Sequence, residues 1–405
     1  MNIPGFSMPE YSSESYRNDP SQLNFWLNAF ISIVMEGKMR AMFGMLFGAG
    51  ILLFVASKEK GGKPAHGLFY RRMMWLVLFG IIHAHLILWI GDILYLYGVC
   101  GMIVYLFRNL KPKYLAMALP VVALIDFGSG ALFYQNVREK RIAYVEAKKA
   151  ETAGQRLTAA QTTALSDWRE LEKTMIPNRE DAKANTARMK SDYGTVAGYL
   201  RPIAVKVQTQ YLPLEIWDSV ALMFLGLALF KWGFFTGSWR NESYWRVVGV
   251  GYGLGLAMVS YSFYYDYLNY STMEANLARM EKVPIEWVGL IYPFQRILLV
   301  MAHASALILL YQAGIAKGMF ARLEAVGRMA FSNYIMHSVI CTLFFFGYGL
   351  NYYGALEFYQ IYYVVVAIWV LQLIVSSMWL KHFYFGPLEW LWRSLTYWQM
   401  QPMRR

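Results

Sequence analysis

The sequence predicts an all-α protein, a bundle of transmembrane helices carrying a water-exposed helical insertion. Three observations carry this. The 405 residues are 57% hydrophobic and only 16% charged, against about a quarter charged in soluble domains. The apolar residues fall into long blocks instead of a one-sided period. The 38 Lys and Arg residues cluster at the ends of those blocks, where the positive-inside rule places them.

Nine apolar segments are expected, at 24–57, 73–90, 93–107, 114–134, 214–235, 246–268, 287–312, 327–347 and 360–380. The first is interrupted by "EGKMR" (Glu36 to Arg40), which suggests an interfacial helix followed by a span. Lys58, Lys60, Lys63, Arg71, Arg72, Arg108, Lys111, Lys113, Lys231, Arg240, Arg246, Lys317, Arg322, Arg328, Lys381, Arg393, Arg404 and Arg405 fall on one side. The opposite short loops carry little beyond Arg279 and Lys282, so the basic side and the C-terminus are expected in the cytoplasm.

Residues 135–210 then lie outside. They are rich in Ala, Glu, Lys, Arg and Gln, good helix formers of mixed charge, and are expected to form a helical hairpin over the bundle. This gives three regions: 1–134, 135–210 and 211–405.

A net charge of +12 does not indicate nucleic acid, because the basic residues form no single patch. Cys100 and Cys341 sit in apolar runs, which argues against a disulfide framework. The run from Leu23 to Val34 lacks the basic flank and cleavage site of a signal peptide. "GVGYGLG" (Gly249 to Gly255) follows no strand and is not a dinucleotide loop; Gly249/Gly253 and Gly251/Gly255 are better suited to close helix packing.

The ionisable residues inside apolar segments are the functional candidates. In "HAHLILWIGDILYLYG" (83–98), the 35 residues between Arg72 and Arg108 must cross the membrane and return. Each arm spans roughly 26 Å at ~1.5 Å per residue, so the Gly91-Asp92 tip barely reaches the far boundary of a ~30 Å core. Asp92 needs a cavity or a partner at that depth, or it caps the next helix. His85, Trp89 and Asp92 share a face if the helix continues; "HAH" is no metal pair, since i and i+2 diverge, and no metal site is expected. Arg296 and His303 share a face seven residues apart, and Asn333 and His337 are an i, i+4 pair. Asp126, Asp218 and Glu36 lie in or near spans. Lys38 and Arg40 suit phosphate or carboxylate, or serve as interface anchors.

At "FGIIHAHLILWIGDILYLYGVCG" the chain resembles the YeiB family of bacterial multi-pass membrane proteins, a domain of unknown function. The matching positions are His83, Trp89, Gly91, Asp92, Ile93, Leu94, Tyr97 and Gly101. "GKMRAMFGMLFGAG" (37–50), "GRMAFSNYIMHS" (327–338) and "FGPLEWLWRSLTYW" (385–398) extend the likeness along the chain.

The chain departs from the pattern twice. His337 stands where the family favours Gln, and "MNIPGF" reads as the exit of a helix that precedes it in the family, so an N-terminal truncation is expected. The family resembles transmembrane acyltransferases in architecture. The resemblance therefore implies transfer of an acyl group from cytosolic acyl-CoA, a co-substrate, to an extracytoplasmic glycan or lipid in the bacterial inner membrane. His83 would be the general base and Asp92 its orienting acid; the family pattern favours His83 where periodicity favours His85.

Lys38, Arg40, His85, Trp89, Arg296, His303 and Asn333 are the binding candidates. The expected partners are the bilayer, the glycan or lipid acceptor and a second copy of the chain. The alternatives are a proton-coupled transporter or flippase using the same residues as a relay, against which no inverted repeat is visible, and a sensor whose outer insertion binds a ligand.

Overall fold

A computed structural model describes residues 3–8, 19–59, 65–175, 179–270 and 272–405. Lys60, Lys63 and most of the N-terminal tail lie outside these. The chain is a polytopic membrane helix bundle. Among the described residues no strand forms beyond one isolated bridge, Phe383 to Arg404.

A short helix α1 (Ile3–Ser7) precedes α2 (Leu23–Val34) and α3 (Lys38–Glu59). The last two form one apolar stretch, Leu23–Lys58, broken at Met35 to Gly37. Gly37 takes φ +73°, a backbone conformation cheap only for glycine. A hairpin follows: α4 (Ala65–Leu86) and α5 (Leu94–Leu106). Helix α6 (Pro112–Thr152), α7 (Ala159–Met175), α8 (Arg179–Met189) and α9 (Tyr193–Thr209) lead to α10 (Leu212–Lys231) and α11 (Asn241–Tyr270). Then come α12 (Met273–Lys282), α13 (Tyr292–Gln312), α14 (Lys317–Arg328), α15 (Ala330–Phe345), α16 (Phe358–His382) and α17 (Pro387–Tyr397).

Six helices, not nine, are long and apolar enough to cross a membrane: Leu23–Lys58, Pro112–Thr152, Leu212–Lys231, Asn241–Tyr270, Trp287–Gln312 and Phe358–His382, among the described residues. The segments expected at 93–107 and 327–347 are the shorter apolar helices α5 and α15. The segment at 73–90 belongs to α4, whose first turns carry Arg71 and Arg72 and whose helix stops at Leu86.

The insertion also differs from a detached hairpin. Helix α6 runs unbroken through residue 135 for 41 residues, about 60 Å, or twice the ~30 Å hydrocarbon core. Its first half spans and its second half is a stalk. Arg138 donates to the carbonyls of Met280 and Glu281, and Arg141 pairs with Glu281 at 2.8 Å. Asp192 then caps α9 by accepting from the amides of Gly194 and Thr195; the Thr195 hydroxyl first, and then these amides, hold its carboxyl below the usual carboxylate range.

Small residues set the tightest approaches between helices. A Cβ on Gly48 would run into the Met223 backbone, and one on Gly226 into the Met45 backbone, so α3 and α10 pack nearly bare. Gly251 and Gly255 meet Leu298, Leu299 and Ala302 of α13, whereas Gly249 and Gly253 face open space. Of the two expected pairs, only Gly251/Gly255 packs within the chain among the described residues.

Contacts gather the basic turns at one end. Lys231 donates to the carbonyls of Arg108 and Leu110, Lys58 lies over the Tyr397 ring, and Arg72 lies over Trp392. The insertion marks the other end. There Arg201 and Tyr193 of α9 donate to the carbonyls of His85 and Leu86. These are the last carbonyls of α4, which have no partner within the helix. Two core clusters, one built on α3, α4, α5 and α10 and one on α1, α9, α15 and α16, both pack against Tyr334.

Candidate functional site

Helix α4 presents Phe69, Met73, Leu76, Gly80 and His83 to the interior, a spacing of three and four that makes one face. The helix stops at Leu86, and the connection to α5 turns through Leu88 at φ +63°. A leucine in the left-handed region costs about 1–2 kcal/mol. The turn is held because Leu88 is buried, Phe6 stacks on Trp89 at 3.8 Å, and the Trp89 amide donates to the His83 carbonyl.

This turn brings Asp92 back onto His83. His83 Nδ1 lies 2.7 Å from Asp92 Oδ1, with the two side chains 0% and 2% exposed. Asp92 Oδ2 accepts from the Tyr95 amide at 2.8 Å, so the acid also caps the first turn of α5. Gly80 makes the approach feasible: a Cβ there would strike the Tyr95 backbone and Asp92 Oδ2. A carboxylate can only accept, so Nδ1 carries the proton and Nε2 holds the lone pair. Nε2 is buried and has no hydrogen-bond partner among the described residues.

Above the imidazole stands Tyr334 of α15, its ring edge-on at 4.9 Å, its hydroxyl accepting from the Ile93 amide. Tyr334 and His337 form one limit of a cavity of about 770 Å³. The walls are mostly apolar, among them Phe43, Phe47 and Phe69, but Arg72, Arg328 and Arg393 also line it. Arg72 is about 16 Å along α4 from His83. Its guanidinium lies 3.7 Å over the Trp392 ring, and the Trp392 indole donates to the Arg72 carbonyl. Arg393 Nε is buried without a partner among the described residues. Glu389, also in the wall, is occupied: it accepts from the amides of Phe331 and Ser332 and from the Ser332 hydroxyl, capping α15 from another helix.

The helix end at Leu86 cancels the face that His85, Trp89 and Asp92 would have shared. His85 instead turns to Gln208 of the insertion, Nε2 to Oε1 at 3.1 Å, while Trp89 packs under Phe6 beside the dyad. Asn333 lines the cavity but serves as a brace, donating to the Val326 carbonyl and the Ser376 hydroxyl.

Four candidates lie elsewhere. Arg296 makes a two-pronged pair with Asp218, which also receives Arg40 at 3.3 Å. His303, two turns beyond Arg296, bridges the Tyr252 hydroxyl and the Val34 carbonyl. Lys38 donates to the Ser32 carbonyl at 2.6 Å. Among the described residues no group of three or more His, Cys, Asp or Glu side chains is placed to hold a metal ion.

Tyr334, Phe6, Glu389 and the arginines of the cavity were not singled out by sequence. Tyr334, Glu389, Arg328 and Arg393 do fall inside the motif blocks quoted above. All four blocks supply wall residues of this one cavity: Phe43 and Gly50; Ile93 and Tyr97; Asn333 and Tyr334; Glu389 and Trp392.

Residues 229–399 match a family model described as a protein of unknown function (DUF418). Over 421 residues the chain is 27% identical to uncharacterized protein YxaH of Bacillus subtilis, covering 100% of this chain and 92% of that protein. It is 25% identical over 414 residues to uncharacterized protein YeiB of Escherichia coli, covering 98% and 91%. It is also 25% identical over 368 residues to an uncharacterized 39.9 kDa protein of Bacillus acidopullulyticus, covering 91% and 82%. No solved structure matches the chain. The family model reaches the Tyr334 and Glu389 side of the cavity, and the near full-length relatives take in the His83 hairpin as well. Residues 229–399 thus carry the DUF418 match, and the chain over nearly its whole length is similar to the uncharacterized proteins YxaH and YeiB.

Proposed function

We propose that the protein is an integral-membrane acyltransferase, drawing an acyl group from an acyl-CoA donor and placing it on a hydroxyl or amine of a glycan or lipid acceptor. One observation carries this reading. A single cavity runs from arginines at the basic end to Tyr334, whose ring stands against a buried His–Asp pair at the insertion end, and all four motif blocks quoted above contribute to its wall.

The chemistry follows from the geometry. The Asp92 carboxylate holds the Nδ1–H of His83, and this leaves Nε2 as the base. For a hydroxyl acceptor, Nε2 removes the proton as the oxygen attacks the thioester carbonyl. The carbon–sulfur bond breaks, and the departing thiolate takes the proton from the imidazolium, which Asp92 has stabilised. The products are an ester and a free thiol. The apolar wall suits the acyl chain, and Arg72, Arg328 and Arg393 suit the donor's phosphates. The donor reaches the imidazole past Tyr334.

In this reading the basic end faces the cytoplasm of a bacterial inner membrane and residues 135–210 lie outside, as the charge asymmetry requires. A cysteine at Gln155 is then labelled by a membrane-impermeant thiol reagent on intact cells; labelling only after permeabilisation reverses the orientation.

A transporter reading has one specific support, the break between α2 and α3 with Glu36 and Lys38 beside it, since discontinuous helices mark transporter sites. The test that separates the two is thiol release from acyl-CoA by purified protein in lipid, supplied with membrane glycolipids as acceptors. Acceptor-dependent release supports transfer, and its absence across short and long acyl donors removes it.

A further inference from the structure

A second pocket shares no wall residue with the His83 cavity. It measures about 440 Å³ and lies between α2, α11 and α13, beside the break at Met35 to Gly37. Interrupted backbone persists where protein satisfies its polar groups or where it lines a wet cavity. Here the break contributes Glu36 and Lys38 to the pocket wall. The position is tightly specified, because a Cβ on Gly37 would strike the Tyr292 hydroxyl, another wall group.

The floor and the mouth make different demands. On the floor are Lys38, Ser262 and Gln295, all buried. Ser262 donates to Gln295 Oε1 at 2.9 Å. Lys38 is 2% exposed and makes one hydrogen bond among the described residues, to the Ser32 carbonyl. An ammonium has three donors, so two remain for a ligand. At the mouth Glu36 and Asp266 are exposed, and between floor and mouth stand the rings of Phe263, Tyr267 and Tyr292.

An anion matching Lys38 would pass the Glu36 carboxylate on its way in, and a simple cation accepted by Glu36 would meet Lys38 at the floor. A neutral polyol meets all three zones: its hydroxyls donate to Glu36, accept from Lys38, and its C–H face packs on the rings. The volume falls in the range of small-molecule sites, about 300–1,000 Å³.

We propose that this pocket binds a neutral sugar unit, at a site separate from the His83 cavity and independent of whether acyl transfer occurs. The sugar is either free or the headgroup of a glycolipid.

The test uses the full chain in phospholipid nanodiscs, free of glycosidic detergent. Two probes distinguish the sources: radiolabelled methyl glucoside in solution, and glucosyl-diacylglycerol in the disc competing against it. Saturable glucoside binding is expected. It should weaken about tenfold in Lys38→Met or Gln295→Leu, the loss of one or two buried hydrogen bonds. The surface change Glu36→Gln, which removes no buried group, should weaken it several-fold and covers the case where the floor variants misfold. His83→Ala should bind as wild type does. Competition by the glycolipid assigns the lipid source, and its absence the free sugar. No saturable glucoside binding, equal binding in Glu36→Gln, or capture of zwitterionic glycine in place of the glucoside overturns the proposal.

Discussion

Two of the ionisable clusters inside this bundle, Arg40–Asp218–Arg296 and His83–Asp92, differ in what they leave over. In the Arg40–Asp218–Arg296 cluster, both terminal nitrogens of Arg296 go to one carboxylate. Its leftover atom, the buried Nε, can only donate, since a guanidinium does not deprotonate in proteins. The cluster therefore ties α13 to α10 and α3. In the His83–Asp92 pair the carboxylate uses one nitrogen and leaves the other as a buried lone pair next to a cavity wall. A spare donor fastens helices; a spare base takes protons. On the proposed reading, this distinction, more than burial, separates structural from chemical charge in this bundle.

The largest effect expected from breaking the comparison is at His83. His83→Ala should abolish acyl transfer, whereas His85→Ala, which loses only its bond to Gln208, should retain most of it. Rates per mole of folded protein in lipid decide the matter; equal losses would merge the two histidines into one packing role.

Next in size is Asp218→Ala, which strands two arginines. Removing one member of a buried pair costs about 3–5 kcal/mol, and less here because the Asp218 side chain is 23% exposed. Folded yield and thermal stability should fall, and the apolar pair Asp218→Leu with Arg296→Met should recover much of both. If instead Asp218→Ala folds normally but loses transfer, the cluster is chemical and the contrast fails.

Gly80→Ala comes third. It pushes on Asp92 and Tyr95, so kcat should drop on the order of 100-fold, the usual cost of a catalytic group moved by about 1 Å, with KM little changed. Arg393→Gln should instead raise the donor KM about tenfold, the scale of one charge-assisted hydrogen bond, and leave kcat near wild type. A kcat loss with unchanged KM would move Arg393 away from donor binding.

The smallest effect concerns the insertion. Asp192→Ala removes the cap of α9, and hydrogen exchange there should quicken. Because the folded carboxyl titrates below its ordinary value, its contribution is present near neutral pH and lost as pH falls through the carboxylate range. Acid should therefore mimic the variant in the wild type and leave the variant unchanged.

How much of this was readable in sequence depended on whether local pattern decided the geometry. The helix bundle was legible because apolar blocks and basic ends are properties of composition. The pairing of His83 with Asp92 was visible only through the motif. The local period favoured His85, and what defeated it was the turn at Leu88, an unfavourable conformation that tertiary packing of Trp89 and Phe6 enforces. The 41-residue α6 was misjudged because polarity changes midway while helix propensity does not. Arg296 and His303 do share a helix, yet their neighbours differ, and one face two turns long can border two unrelated places. Tyr334 and Glu389 carried no signal of their own; both act on segments distant in sequence, Ile93 and the start of α15.

The central claim is that His83 and Asp92 work as one unit. It is tested most directly by a double-mutant cycle on acyl-CoA-dependent transfer, with His83→Ala, Asp92→Asn and the double variant normalised to folded protein in the same lipid. The account predicts that each single change removes nearly all activity and that the double is no slower than the slower single, the non-additivity of a functional unit. Losses that multiply in the double variant, or single variants that transfer normally once folded, would contradict it.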